Sequence, residues 1–328
     1  VEIGTHERAS RILPRRDMAS PDAEIIEVPM NYFRDFQQNC EGALRDFAGI
    51  AVGVEGAYIR DRESVSQAIL KHEALYNGQL FLKDDIIISV ELDVNAPDYG
   101  SLINQEYMQE ASFDKTATFV MHTDIGISND SCGVVIGRIQ NYVKLPMTNR
   151  YSDKLGTFIE VADLSAPVFC FDGMLRIRPP HGGEVNLELL RGLLFYLTQI
   201  LPIKFATFDR FSSVAFIQGL RKLKVRSGLV STDTTIIPYS ELKNAYIERR
   251  MLHPRHSIYW DEIINLQHDP KKDKVDHQSG SSKDVADAAA CVVHILTHKV
   301  AVYSKEKEVR RKVLKHEISG VRRLKFRR

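Results

Sequence analysis

The hydrophobic period changes twice along this chain, and those two changes limit its fold more than any other feature. Residues 117–125 (ATFVMHTDI), 132–143 (CGVVIGRIQNYV) and 168–177 (VFCFDGMLRI) are short apolar runs rich in strand formers. Gly, Ser, Asn and Asp lie between the first two, and a polar excursion over 149–163 precedes the third. The period then lengthens: Leu187, Leu190, Leu194, Leu197 and Leu201 recur at helical spacing, which predicts an amphipathic helix over 184–200. After it come a strand at 205–208, a helix at 213–223, a strand at 224–230, and helices at 239–252, 260–266 and 284–300. The last of these carries Val285, Ala289, Val292 and Leu296 on one face. Three strands in a row predict an antiparallel meander, and the later strand–helix–strand unit adds parallel strands. The expectation is an α/β fold, a mixed sheet flanked by helices.

Upstream of 117 the period is weak. Residues 43–47 and 65–75 look helical, while Pro14, Pro21, Pro29 and Pro97 punctuate the rest. This gives three expected regions: a helical and irregular connector over 1–113, the sheet domain over 114–303, and a tail over 304–328.

Composition narrows the class. At 328 residues, 27% charged and 44% hydrophobic, the chain has material for a substantial core. No apolar run approaches the roughly 18–20 residues that cross a bilayer, so no membrane partner is expected. No secretory segment is visible and the first residue is Val, which reads as a mature, trimmed or partial chain. Cys40, Cys132, Cys170 and Cys291 are widely spaced among apolar neighbours and fit reduced core positions. The formal net charge of +1 speaks at face value against a strongly basic nucleic-acid binder. That total is uneven, however. From Lys305 to Arg328 there are 11 Lys/Arg against 3 Asp/Glu, which leaves an acidic body.

Several acids fall at element ends. Asp124 closes the first strand and Asp209 closes the strand at 205–208, while Asp284 and Asp287 sit three apart at the start of the last helix. Carboxylates gathered at one end of a sheet repel each other unless a cation lies between them, and hard divalent cations suit oxygen ligands. Each acid also has a simpler reading. Asp124 fits a turn before Gly126, Asp209 fits a cap for the next helix, and Asp284 fits a capping box with Ser281. Asp287, inside an alanine-rich helical stretch, is harder to explain that way.

Residues 121–133 (MHTDIGISNDSCG), 205–213 (FATFDRFSS) and 274–288 (KVDHQSGSSKDVADA) resemble the nuclease domain of tailed-bacteriophage terminase large subunits. Residues 230–233 (VSTD) and 239–250 (YSELKNAYIERR) resemble the family's approach to its last acidic helix. Residues 28–36 (VPMNYFRDF) and 43–50 (ALRDFAGI) resemble the stretch joining motor to nuclease.

The resemblance implies a ribonuclease H-like fold and a metal-dependent endonuclease cutting double-stranded DNA during viral genome packaging. It implies Asp124, Asp209 and Asp287 as metal ligands and catalytic residues, with Asp284 close behind and Asp130 as an accessory acid. Two Mg²⁺ or Mn²⁺ ions are implied, bridged by Asp124, with a 5′-phosphate and a 3′-hydroxyl as products. The implied partners are DNA, a terminase ATPase motor domain, a small terminase subunit and a capsid portal, in the cytoplasm of an infected bacterium. One departure stands out. No Gly-Lys-Ser/Thr occurs, so ATP hydrolysis is not expected of this chain, and residues 1–20 read as the end of such a motor.

Lys283 and Arg210 adjoin the acids and are candidate phosphate contacts, with a solvated surface role as the alternative. His122 shares the strand face of Asp124, and His277 precedes the acidic helix. His253 and His256 lie three apart, but no Cys pattern accompanies them to indicate zinc. The basic tail reads either as a solvated extension or as a phosphate-binding arm. A junction resolvase or transposase-like nuclease is the rival enzyme reading, and a non-catalytic DNA- or portal-docking module is the rival binding reading.

Overall fold

The computed structural model describes residues 10–12, 26–28, 32, 57–109, 117–128, 130–144, 148–152, 157–161, 165–209, 213–269, 274–277 and 282–300. Cys40, Arg210, the expected helix at 43–47 and the basic tail lie outside them. Two units are distinguished, Val1–Gly56 and Ala57–Arg328. In the first, β1 (Ser10–Ile12) and β2 (Ile26–Val28) pair antiparallel, with Ser10 opposite Val28.

The second unit opens with α1 (Arg62–Tyr76), capped by Asp61, whose side chain accepts from the Ser64 amide. It ends at Asn77 in the left-handed region at φ 52°. Its buried residues Val65, Ala68, Ile69, His72 and Tyr76 follow helical spacing and face the body. β3 (Asp85–Ile86), α2 (Ile88–Glu91) and α3 (Gln105–Gln109) follow. β3 pairs in parallel with a sheet strand, Asp85 beside Arg176. Packing of the second unit therefore begins at Ala57. Residues 57–109, expected as part of a connector, contribute a helix and an edge pairing to it.

The sheet holds β4 (Phe119–Asp124), β5 (Cys132–Lys144), β8 (Ser165–Ile177), β9 (Ile203–Phe208), β10 (Arg226–Leu229) and β11 (Met251–Leu252), in the order β10-β9-β4-β5-β8-β11, with β3 on β8. β4, β5 and β8 form the expected antiparallel meander, and β9, β10 and β11 add parallel pairings. This is the expected mixed sheet, an antiparallel meander extended by parallel strands, here with seven strands. The polar excursion between β5 and β8 contains a hairpin of its own, β6 (Thr148–Ser152) against β7 (Thr157–Val161).

Strand alternation separates two cores. Phe119 and Met121 of β4 join a cluster with Leu189, Leu190, Leu193, Leu194 and Leu197 of α4 (Leu187–Ile200) and with Phe216, Ile217 and Leu220 of α5 (Val214–Lys222). Val120 and Val135 join the opposite cluster. It draws on α1, α6 (Ile237–Ile247), α7 (Ser257–Asn265) and the largely buried α8 (Asp284–Ile295), which runs on into a π-helical turn at Leu296–Val300. Before α8, β12 (Gln267–Asp269) pairs antiparallel with β13 (Lys274–Asp276).

One expected helix is two elements. The apolar positions over 239–252 continue a helical rhythm, yet α6 stops at Ile247 and Arg249 adopts φ 57°. Arg250 then donates to the Pro167 carbonyl, and Met251 pairs beside Phe169. Sheet pairing outweighs helical continuation once the left-handed residue has turned the chain. Among the described residues no helix is long and apolar enough to cross a membrane.

Candidate active site

The register of the sheet builds the site as a row. Asp124 at the end of β4 pairs with Gly133 of β5, Gly133 with Arg176 of β8, and Arg176 with Asp85 of β3. On the other side β4 runs parallel to β9, with Thr123 beside Phe208, so Asp124 and Asp209 are consecutive exits from neighbouring strands. Two acids thus leave the sheet side by side, followed by a position without a side chain.

That position admits the last helix. A Cβ on Gly133 would lie 2.0 Å from the Asp284 carbonyl oxygen, and one on Gly137 would lie 2.9 Å from a Val292 methyl. From Gly133 to Gly137 a strand advances about 13 Å, and from Asp284 to Val292 a helix rises about 12 Å. α8 therefore runs along β5 over two glycines, with its first turn beside Asp124. Asp284 and Asp287 arrive in that turn.

The four acids influence one another electrostatically. Burial first, then Asp287, Asp284 and Asp209, push the Asp124 carboxyl well above the usual carboxylate range, and Lys283 opposes them. Asp284 is pushed up to about 6 by burial, then by Asp287 and Asp130, against Arg176 and His277. Beneath them the buried Cys291 thiol is raised by desolvation and then by Asp287, Asp124 and Asp209.

Asp287 is the best-held member. Its Oδ1 accepts from Thr232 Oγ1 at 2.7 Å and from the Tyr239 hydroxyl at 2.7 Å, and its Oδ2 accepts from Lys283 Nζ at 2.8 Å. An all-carboxylate oxygen donor set, with an ammonium already against one member, fits hard divalent cations.

The expected capping box with Ser281 does not describe this helix start. Lys283 is the cap residue and makes no side-chain cap bond, and Ser281 lies outside the described residues. Glu262 of α7 supplies the cap from another element. Its Oε2 accepts from the Ala286 amide at 2.8 Å and its Oε1 from Ser282 Oγ at 2.7 Å. Burial pushes the Glu262 carboxyl up to about 7 against those two hydrogen bonds, with Asp284 adding to the rise.

The other expected residues divide. Asp130 is exposed, and its charge reaches Asp284. Lys283, read as a phosphate contact, is held in an ion pair with Asp287, its side chain only 11% exposed. His122 is buried below Asp124, with Nδ1 2.8 Å from Thr207 Oγ1, and desolvation lowers it to about 3. His277 Nε2 lies 3.8 Å from Asp276 Oδ1. His253 and His256 are buried, with ring nitrogens on the Pro254 and Asp84 carbonyls, and form no paired ligand site.

Glu262 and Arg176 carry no sequence signal of their own, and Thr232 and Tyr239 lie within the longer resembling stretches at 230–233 and 239–250. The one available signal for Tyr239 and Thr232 was that both stretches precede the acidic helix.

No protein-family model matches the chain, and no curated protein matches it in sequence. Among solved structures, the large terminase nuclease domain of Thermus phage P74-26 is similar at 10% identity and a TM-score of 0.40, over 57% of this chain and 84% of that one. The large terminase nuclease from thermophilic phage G20c with bound magnesium is similar at 10% identity and 0.38, over 55% and 82%. The HK97 bacteriophage large terminase is similar at 14% and 0.36, over 55% of this chain but 40% of that one. These similarities are low, and the fold assignment rests on the strand order and register given above.

Proposed function

We propose that the chain is a metal-dependent endonuclease that cuts double-stranded DNA with little sequence preference during viral genome packaging. The observation supporting this reading is the electrostatic convergence of Asp124, Asp209, Asp284 and Asp287 at one end of the sheet. Such an array is costly on its own and is relieved by cations. Two Mg²⁺ or Mn²⁺ ions, when bound, supply water activation and stabilisation of charge on the scissile phosphate and leaving oxygen.

The chain's own residues set the rest. Asp124, whose carboxyl is raised by the charges of Asp287, Asp284 and Asp209, would hold the ions together with those three acids. Thr232 and Tyr239 fix the rotamer of Asp287 by occupying its Oδ1. Lys283 supplies positive charge for the phosphate beside the acids, and Arg210 adds to it from the residue after Asp209. Carboxylates and a lysine contact backbone rather than base edges, which accounts for weak sequence preference. The partners in this reading are DNA, a packaging ATPase motor, a small terminase subunit and a portal, in the host cytoplasm.

Supercoiled plasmid incubated with the protein and Mn²⁺ should be nicked and linearised, and EDTA should prevent it. Asp124→Ala and Asp287→Asn should each lose detectable cutting while keeping a wild-type circular dichroism spectrum. Intact plasmid at every Mn²⁺ concentration, or cutting retained by either folded variant, would count against the reading. Linear duplex cut as fast as branched DNA separates it from a junction resolvase.

A further inference from the structure

Seven residues beyond Asp287 on α8, a second group of ligating side chains comes together. His294 Nδ1 lies 2.8 Å from Glu241 Oε2, and His298 Nε2 lies 2.6 Å from Glu241 Oε1. The two imidazole rings are 4.6 Å apart between centroids. One ligand atom from each residue lies within 4.8 Å of the other two. Among the described residues this is the set that meets so close a spacing.

We propose that Glu241, His294 and His298 form a second metal site, for a transition-metal ion of the zinc class, separate from the carboxylate row. Four residues of spacing put both imidazoles on one side of the helix, and the π-helical turn Leu296–Val300 carries the second of them. The carboxylate comes from α6, which is held against α8 by Tyr239 on Asp287 and by the buried Leu242, Ala245 and Tyr246. The site is thus built from two rigid helices rather than from a loop.

Two imidazole nitrogens and one carboxylate oxygen are a borderline donor set. They favour Zn²⁺, Co²⁺ or Ni²⁺ over Mg²⁺, the reverse of the all-oxygen row. Three protein ligands leave a coordination position for water, and the His298 side chain is half exposed, so the ion has a path in. Bound there, the ion ties the C-terminal end of α8 to α6. The inference does not depend on the nuclease reading.

The test is calorimetric titration of Zn²⁺ into the full chain carrying Asp124→Asn and Asp287→Asn, which removes competition from the carboxylate row. One ion per chain should bind, excess Mg²⁺ should not displace it, and adding His298→Ala or Glu241→Gln should weaken it by more than about tenfold. With Co²⁺, visible ligand-field bands should appear and be lost in the same variants. Absence of binding in that background would overturn the site. So would Zn²⁺ binding that a folded His294→Ala, His298→Ala variant leaves unchanged, since other ligands would then hold the ion.

Discussion

At Glu262, burial and hydrogen bonding pull in opposite directions. Desolvation favours the protonated acid, while the Ala286 amide and Ser282 hydroxyl favour the carboxylate, and burial prevails, with the carboxyl at about 7 instead of 4.5. A carboxyl raised in the folded state contributes stability that is fully present below about pH 4.5 and is lost as pH rises through about 7. Metal-free protein should therefore lose stability to urea between those values. Glu262→Gln keeps an acceptor for the Ala286 amide and should remove part of that slope, roughly 3 kcal/mol over the window. Equal slopes in the two proteins would mean that Glu262 does not titrate there; Asp284, raised to about 6, and Asp124, also raised, leave a residual slope in the variant. The contrast with Asp124 shows what a sequence displays. Asp124 ends a visible strand, so its position announced an element end. Glu262 sits in an ordinary helical pattern, and its role comes from the start of α8 at Asp284, far along the chain, that packing alone brings to it.

Among the elements, β5 decides where the carboxylates meet. Its two glycines are places where α8 touches backbone, and they differ in severity. At Gly133 an added methyl meets the main chain of Asp284 at 2.0 Å, which cannot give way without lifting the helix start. At Gly137 it meets side chains of Phe171 and Val292 at 2.9 Å, with the Cys170 carbonyl at 3.0 Å. Gly133→Ala should cost about 3 kcal/mol or more in urea unfolding, toward or past the upper end of overpacking penalties, and Gly137→Ala about 1–2 kcal/mol. Gly133→Ala should also reduce plasmid cutting more than Gly137→Ala does. Equal costs would show that α8 does not rest on β5 at Asp284. The strands and the long helices were legible because their apolar positions repeat at 2 and 3.6 residues. The break after Ile247 was not, since Tyr246, Met251 and Leu252 keep an apolar rhythm while the turn depends on one backbone angle at Arg249. The β6–β7 hairpin was not legible either, because Thr148–Ser152 holds a single aromatic among polar residues and shows no alternating apolar pattern.

For the molecule as a whole, the near-zero net charge is a poor guide, because what matters is where the charges lie. One acid row is left mutually repelling, while elsewhere Arg138 and Asp172 sit buried as a matched pair at 3.0 Å. Divalent cations that relieve the row should stabilise the fold by mass action, by about 2.7 kcal/mol at a hundredfold excess over Kd. In a thermal melt, Mg²⁺ should raise the Tm of the wild type by several degrees. The Asp124→Asn variant, which removes the most strongly raised acid of the row, should melt higher than wild type without metal and respond less to Mg²⁺. A wild-type Tm indifferent to Mg²⁺ would speak against cation binding by the row. The position of α8 along the chain has a further consequence for synthesis. Asp124 leaves the ribosome roughly 160 residues before Asp287, which at about 5–20 residues per second is some ten to thirty seconds. Until α8 has been made and has settled along Gly133 and Gly137, the strand ends carry only part of the carboxylate set. Whatever chemistry those carboxylates perform is withheld from the nascent chain, because a helix made long after the strands completes the site.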